Sequence, residues 1–236
     1  MSQKPFHFKE FTVHQDKCAM KIGTDGVLLG AWCDVNKANS ILDIGTGSGL
    51  IALMMAQRSD AELIDAVEIE PEAYEQAVEN FEESPWGDRL FCYHASVQEL
   101  AEEIEEKYDL IISNPPYFQS DEQVQGKRQL ARRTVSLGYT ELLLSTSKLL
   151  NSSGLANFII PFAEEERFLK IALDLGLFPS RITRVKGKSS APIKRSLIAL
   201  NLMAVQTKID ELILEKERHQ YTDAYKEMVQ DFYLHL

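Results

Sequence analysis

The segment from Ser40 to Met54 restricts the fold more than any other part of this 236-residue chain. Ile41-Leu42-Asp43-Ile44 is a short apolar run entering Gly45-Thr46-Gly47-Ser48-Gly49, after which Leu50, Leu53 and Met54 recur at helical spacing. A buried strand, a glycine turn and a helix make the opening unit of a nucleotide-binding α/β sheet. Gly47-x-Gly49-x-x-Ala52 also fits the dinucleotide fingerprint, so the glycines alone leave the ligand open. Asp43, two residues ahead of Gly45, extends the pattern to D-x-G-x-G-x-G, which suits S-adenosylmethionine. That ligand carries no phosphate. Its amino acid moiety needs a nearby carboxylate and close backbone approach, which Asp43, Gly45, Gly47 and Gly49 can supply. The next run, Leu63 to Ile69, carries Glu68 near its end, where an acid accepts both hydroxyls of a ribose.

A second motif supplies the chemistry. Tyr108-Asp109-Leu110-Ile111-Ile112-Ser113 reads as a strand running straight into Asn114-Pro115-Pro116-Tyr117. A planar amino nitrogen is a poor nucleophile, because its lone pair is delocalised into the ring or carbonyl. The Asn114 side-chain oxygen can accept one of its N–H groups and the Pro115 carbonyl the other, while Pro115 and Pro116 stiffen the turn and add no competing amide. Tyr117 then lies against the face of the substrate group, stacking on a base and favouring a cationic transition state.

Strands are expected near 40–45, 62–69, 89–94, 108–113, 154–160, 177–186 and 194–204, with helices between the first six. Only Gly187 to Pro192 joins the last two, too short for a helical crossover, so they pair as a hairpin and the final strand runs antiparallel. The expected fold is thus α/β: a seven-stranded, doubly wound, Rossmann-like methyltransferase sheet with its last strand antiparallel. One methyltransferase domain over 1–236 is expected, with an N-terminal extension (1–36), a Rossmann-like core (37–206) and a C-terminal helix (207–236). Phe6, Phe8, Phe11 and Val13 suggest a small aromatic strand pair in the extension, and Thr222 a cap for the last helix, with Tyr225, Val229 and Phe232 on one face.

Composition narrows the setting. Hydrophobic residues make up 44%, ample for a core, and no run is long and apolar enough to span a bilayer. Cys18, Cys33 and Cys92 lack metal spacing and the five histidines are scattered, so no metal site is expected and the cysteines read as reduced core residues. These features fit a cytoplasmic, monomeric enzyme. The net charge of −11 argues against a nucleic-acid partner, yet the acids concentrate in Glu70 to Glu83 and Glu99 to Glu106, on predicted outer helix faces. Two stretches hold bases without acids: Lys127, Arg128, Arg132 and Arg133 after the proline turn, and Arg181, Arg184, Lys186, Lys188, Lys194 and Arg195 around the hairpin. Local clustering beside a site is what a phosphate backbone needs, so Lys127, Arg128, Arg132, Arg133, Lys186, Lys188, Lys194 and Arg195 are the candidate RNA contacts.

Nearly end to end, the chain resembles the bacterial valine-tRNA adenine-N(6)-methyltransferases. The shared blocks are CAMKIGTDGVLLGAW (Cys18 to Trp32), ILDIGTGSGLIALMMAQR (Ile41 to Arg58), IDAVEIE (Ile64 to Glu70), SPWGDRL (Ser84 to Leu90), YDLIISNPPY (Tyr108 to Tyr117) and YTDAYKEMVQDFYL (Tyr221 to Leu234). The glycine and Asn-Pro-Pro-Tyr motifs give the class; the Lys21–Trp32 and terminal blocks point to the family. The resemblance implies N6-methylation of the adenine immediately 3′ of the anticodon, at position 37, of tRNA(Val). It also implies that Thr24 and Asp25 belong to an N-terminal segment closing over the cofactor. Where relatives often place Asp at the end of the third strand to meet the cofactor's adenine, this chain reads His94-Ala95-Ser96-Val97, leaving the Ser96 hydroxyl and the Val97 amide as substitutes.

Other readings share the turn. Ribosomal RNA methyltransferases acting on purine amino groups usually close it with Phe, and release-factor glutamine methyltransferases carry a helical domain where this chain has some forty residues of strand-like, aromatic sequence. The Tyr117 assignment can be tested directly. Tyr117→Phe keeps the ring and should retain most activity, whereas Tyr117→Ala should lose about 1–3 kcal/mol of substrate binding. Steady-state kinetics with tRNA measures both, and equal, severe losses would point to the hydroxyl instead.

Overall fold

The computed structural model describes residues 4–116 and 138–235, and the elements below are those of the described residues. Two short strands, β1 (Phe6–His7) and β2 (Thr12–Val13), form an N-terminal hairpin, and α1 (Thr24–Trp32) follows. The core then alternates: β3 (Ser40–Ile44), α2 (Leu50–Arg58), β4 (Leu63–Glu68), α3 (Pro71–Glu82), β5 (Leu90–His94), α4 (Val97–Glu103) and β6 (Tyr108–Ser113). After it come α5 (Tyr139–Leu149), β7 (Leu150–Pro161), α6 (Glu165–Asp174), β8 (Phe178–Lys188) and β9 (Ile193–Asn201). The chain closes with β10 (Lys208–Glu217), β11 (Gln220–Tyr221) and α7 (Asp223–Val229).

The large sheet has the order β11-β10-β8-β9-β7-β6-β3-β4-β5. All seven expected strands are present, and β9 runs antiparallel to both β7 and β8, as the short hairpin connection required. Its two faces bury separate apolar clusters. Helices α1, α2, α3 and α7 pack on one, through Leu28, Leu53, Phe81 and Val229, and α4, α5 and α6 on the other, through Leu100, Leu143 and Phe168. The change of face falls between β3 and β6. There the strand order reverses and opens a crevice at the carboxyl ends, the usual ligand position in open α/β sheets.

One expectation is corrected. Residues 207–236 are not a C-terminal helix: β10 and β11 extend the sheet to nine strands, and the helix is only Asp223–Val229. Tertiary pairing overrides local preference here. The free edge of β8 carries a row of bases, and β10 lies parallel to it with acids in reach, pairing Lys186 with Glu211 at 3.0 Å and Arg181 with Asp210 at 3.3 Å. The terminal cap is as expected: the Thr222 hydroxyl accepts from the Tyr225 amide at 3.2 Å, and Tyr225, Val229 and Phe232 are buried.

Gly49 shows why the turn before α2 admits no other residue. Its φ is +82°, and a Cβ there would lie 2.5 Å from Cε1 of the buried Phe81 ring. Gly49→Ala should therefore cost about 2–5 kcal/mol, left-handed backbone strain plus overpacking, whereas Gly45→Ala, whose Cβ meets nothing, should cost about 1–2 kcal/mol. Urea denaturation of the two variants against wild type checks the ordering.

Candidate active site

The site is built where two turns leave adjacent strands. In the parallel register of β3 and β6, Ile44 lies opposite Ser113, so Gly45 and Asn114 are the next residues out on neighbouring strands. The buried Ser113 hydroxyl fixes this alignment by donating to the Ile44 carbonyl at 2.8 Å. Asn114 is half-buried, Pro115 buried and Pro116 exposed, so the turn emerges into the crevice with its asparagine still packed at the base. Tyr117, Lys127, Arg128, Arg132 and Arg133 lie outside the described residues.

Asp43 sits deeper than direct ligand contact implies. It is fully buried, and Oδ2 accepts from the Thr46 hydroxyl at 2.6 Å and from the Ala52 amide at 3.2 Å, tying the glycine turn to the first turn of α2. Its Oδ1 is buried with no hydrogen-bond partner. Burial, only partly offset by those two hydrogen bonds, pushes the carboxyl up to about 7. Asp43 thus braces the glycine turn from behind.

Glu68 faces the same turn from β4. Its Oε2 accepts from the Gly47 amide at 2.8 Å, and Oε1 from the amides of Ile69 and Glu70 at 2.9 and 3.0 Å. Those three bonds hold the carboxylate rigidly and leave Oε2 with a lone pair to spare. Gly45 and Gly47 have φ of +70° and +59°, and a Cβ built on either meets nothing within 4 Å among the described residues, which leave the outer side of the turn open. An open backbone surface, a buried carboxylate behind it and an acid at its rim fit a ligand bearing an ammonium group and a diol.

The rest of the rim is mixed. Ser96 caps α4 in a reciprocal box, its hydroxyl donating to Glu99 at 2.8 Å and accepting the Glu99 amide at 3.2 Å. That hydroxyl is already engaged, while the Val97 amide, first in its helix, has no intrahelical acceptor. His94 stacks on Tyr74 with ring centroids 5.2 Å apart and contacts the Ile69 carbonyl at 3.1 Å. Ile69 itself is 46% exposed, an apolar side chain directly after the rim acid that sequence reading passed over. Its signal was there, one isoleucine between Glu68 and Glu70 at a strand end.

Thr24 and Asp25 open α1 at this same edge: Asp25 accepts from Arg195 Nε at 2.8 Å, and Arg195 lies opposite Pro161, the end of β7. The bases of the hairpin are largely committed within the fold. Lys186 is paired with Glu211, Lys188 approaches Glu217 at 3.9 Å, and Arg184 bonds Glu165 through two nitrogens. Lys194 is exposed. A surface cleft of about 430 Å³ beside the N-terminal hairpin contains none of these residues. Among the described residues no cluster of His, Cys, Asp or Glu is disposed to hold a metal ion, and no helix is long and apolar enough to cross a membrane.

The fold and the paired turns define a methyltransferase. A predicted O-methyltransferase from Agrobacterium tumefaciens superposes with a TM-score of 0.69 at 18% identity, over 88% of this chain and 96% of that one. A methyltransferase from Pyrococcus furiosus gives 0.55 at 21% identity, over 74% and 80%. Residues 19–142 match the family model described as Methyltransferase small domain. Relatives named tRNA1(Val) (adenine(37)-N6)-methyltransferase align end to end: 60% identical in Christiangramia forsetii, over 100% of both chains, and 53% in Flavobacterium johnsoniae, over 97% of this chain and 99% of that one. The similarity reaches Trichodesmium erythraeum, at 44% identity over 99% of each chain. The chain belongs to the tRNA1(Val) (adenine(37)-N6)-methyltransferase family.

Asp43 gives the site a pH signature. Its folded value, about 7, lies above the ordinary aspartate range, so between the two the folded state binds a proton that the unfolded state does not. The stability it contributes is full below about pH 4, falls as pH rises towards 7 and levels off above. Asp43→Asn should remove that fall, so that its stability relative to wild type improves by about 3 kcal/mol between pH 5 and pH 8, while it binds a cationic cofactor more weakly. Urea titrations of both proteins at pH 5 and 8 test this, and parallel pH profiles would refute it.

Proposed function

We propose that this chain transfers a methyl group from S-adenosylmethionine to N6 of adenine 37 in tRNA1(Val), acting without a metal, as a monomer in the cytoplasm. The observation carrying the chemistry is the Ile44–Ser113 register, which sets the glycine turn beside Asn114-Pro115-Pro116. The choice of substrate follows the full-length relatives bearing that activity in their names.

When bound, S-adenosylmethionine supplies an electrophilic methyl group on a sulfonium. The chain's own residues do the rest. The glycine turn would offer open backbone to the amino acid moiety, with the Asp43 carboxyl behind it; Glu68 Oε2 would receive a ribose hydroxyl; Ile69 would give the adenine an apolar surface and the Val97 amide a donor. At the acceptor, Asn114 Oδ1 and the Pro115 carbonyl each take one N–H of the exocyclic amine. That draws the nitrogen out of conjugation and stabilises the positive charge that grows on it as its bond to the methyl carbon forms and the sulfur–carbon bond breaks; S-adenosylhomocysteine is the leaving group, and one N6 proton passes to water. Tyr117 supports the base by stacking. For the tRNA backbone, Lys127, Arg128, Arg132, Arg133 and Lys194 are the proposed contacts, since Lys186, Lys188 and Arg195 are already paired with acids.

Asn114→Ala should lower turnover by about a hundred- to a thousand-fold, the usual loss on removing one preorganised group at a transition state, with a far smaller change in cofactor affinity. Methyl transfer to purified tRNA(Val), with the product nucleoside identified by mass spectrometry, measures the first, and isothermal titration the second. A variant that binds cofactor poorly yet turns over normally would move Asn114 out of catalysis. Methylation of a protein glutamine with tRNA untouched would overturn the substrate.

A further inference from the structure

Asn80 is a poor choice for the interior of a helix, and it is completely buried in α3. Its side chain is nonetheless nearly saturated. Oδ1 accepts the His14 amide at 2.8 Å, and Nδ2 donates to the His14 carbonyl and to the Ser48 carbonyl, both at 2.8 Å. Towards His14 it behaves as a peptide group in a strand ladder. Towards Ser48 it grips the glycine turn between Gly47 and Gly49.

One helical turn earlier, on the same face, Gln76 is almost as buried and its Oε1 accepts the Lys17 amide at 3.1 Å. Outside these amides the Lys17 ammonium bonds Glu79 at 2.6 Å and Glu75 at 3.4 Å. Residues 14–17 are therefore docked on α3 through two buried carboxamides. The chain then closes a compact loop: Lys21 Nζ donates to the carbonyls of Gln15 and Cys18 at 2.8 and 2.7 Å, and Gln15 Oε1 accepts the Ile22 amide at 3.0 Å. Within that loop Cys18 is buried near Glu68, and desolvation followed by that negative charge pushes its thiol up to about 11. The loop leads directly into Thr24, the first residue of α1.

We infer that Asn80 is a positioning residue coupling the loop of residues 14–22 to the glycine turn, so that docking the loop and setting the cofactor-binding backbone are one event, with Gln76 securing the loop alone. This rests on the reading of the turn as the S-adenosylmethionine site. The bonds of Asn80 tie the backbone at residue 14 to the backbone at residue 48, so a displacement of one is carried to the other.

Asn80→Asp keeps the shape and the acceptor for the His14 amide, but turns a charge towards two carbonyls in place of two donors. It should weaken S-adenosylmethionine binding by about tenfold or more by isothermal titration, while kcat at saturating cofactor stays within about threefold of wild type. Gln76→Met should weaken binding by only a few fold, and adding it to Asn80→Asp should bring about no further loss, the two acting on one docked loop. In the wild type, saturating cofactor should slow hydrogen exchange at the His14 and Lys17 amides. Unchanged exchange there, wild-type affinity in both single variants, or a fall in kcat with affinity intact would each overturn the coupling. If Asn80→Asp does not fold, Gln76→Met and the wild-type exchange decide it. A wild type that binds no S-adenosylmethionine would instead remove the cofactor assignment beneath it.

Discussion

The parallel pairing of β3 with β6 is the constraint from which the rest of the site follows. Strand order reverses at this pair, so the helices after β3 and β4 pack on one face while those after β5 and β6 pack on the other. The wedge between them opens at the carboxyl edge. Into it the two strands deliver a glycine turn and a proline turn at equal height, because Ile44 and Ser113 are partners and the Ser113 hydroxyl fastens them. A shift of one residue would turn every β6 side chain to the wrong face and lift Asn114 away from the glycines. Apolar residues at Leu42, Ile44, Ile111 and Ile112, all buried, make such a slip costly.

Electrostatics are settled locally. A net charge of −11 says little about the site, because the acids of α3 and α4 lie on outer faces while those of β10 are spent on the β8 bases. The acid that matters to the turn, Asp43, is held where ionisation is expensive, in exchange for two hydrogen bonds that no apolar side chain could make. Glu68 is the opposite case: three backbone amides converge on it and offset the cost of its burial.

The features legible in the sequence were those determined by neighbouring residues. The glycines at 45, 47 and 49 announce positive φ, six residues between two strands announce a hairpin, and Thr222 announces a helix start. What the sequence concealed depends on partners far along the chain. Nothing in Lys208 to Glu217 marks it as a strand until β8 presents its edge, where its acids meet Arg181 and Lys186. Ser96 is the cap of α4, a role that Glu99, three residues on, signals in the sequence. Asn80 and Gln76 look like ordinary polar positions on an acidic helix. Only their burial against residues some sixty positions away shows otherwise.

The added strand β10 also bears on the site, through α1. The indole of Trp32, last residue of that helix, is buried and donates to Thr183 on β8 at 2.9 Å; Thr183 in turn donates to Asp210 on β10. Arg181, paired with Asp210, lies over the Trp32 ring at 4.8 Å. A buried indole N–H needs an acceptor, which the Thr183 hydroxyl supplies; Asp210 accepts from that hydroxyl in turn and pairs with the guanidinium on the ring's face. At the other end of α1, Asp25 meets Arg195 of β9. The helix is thus fastened to the antiparallel half of the sheet at both ends, while residues 14–17 just before it are fastened to α3. Any change in the loop between these anchorages must be absorbed by residues 18–23.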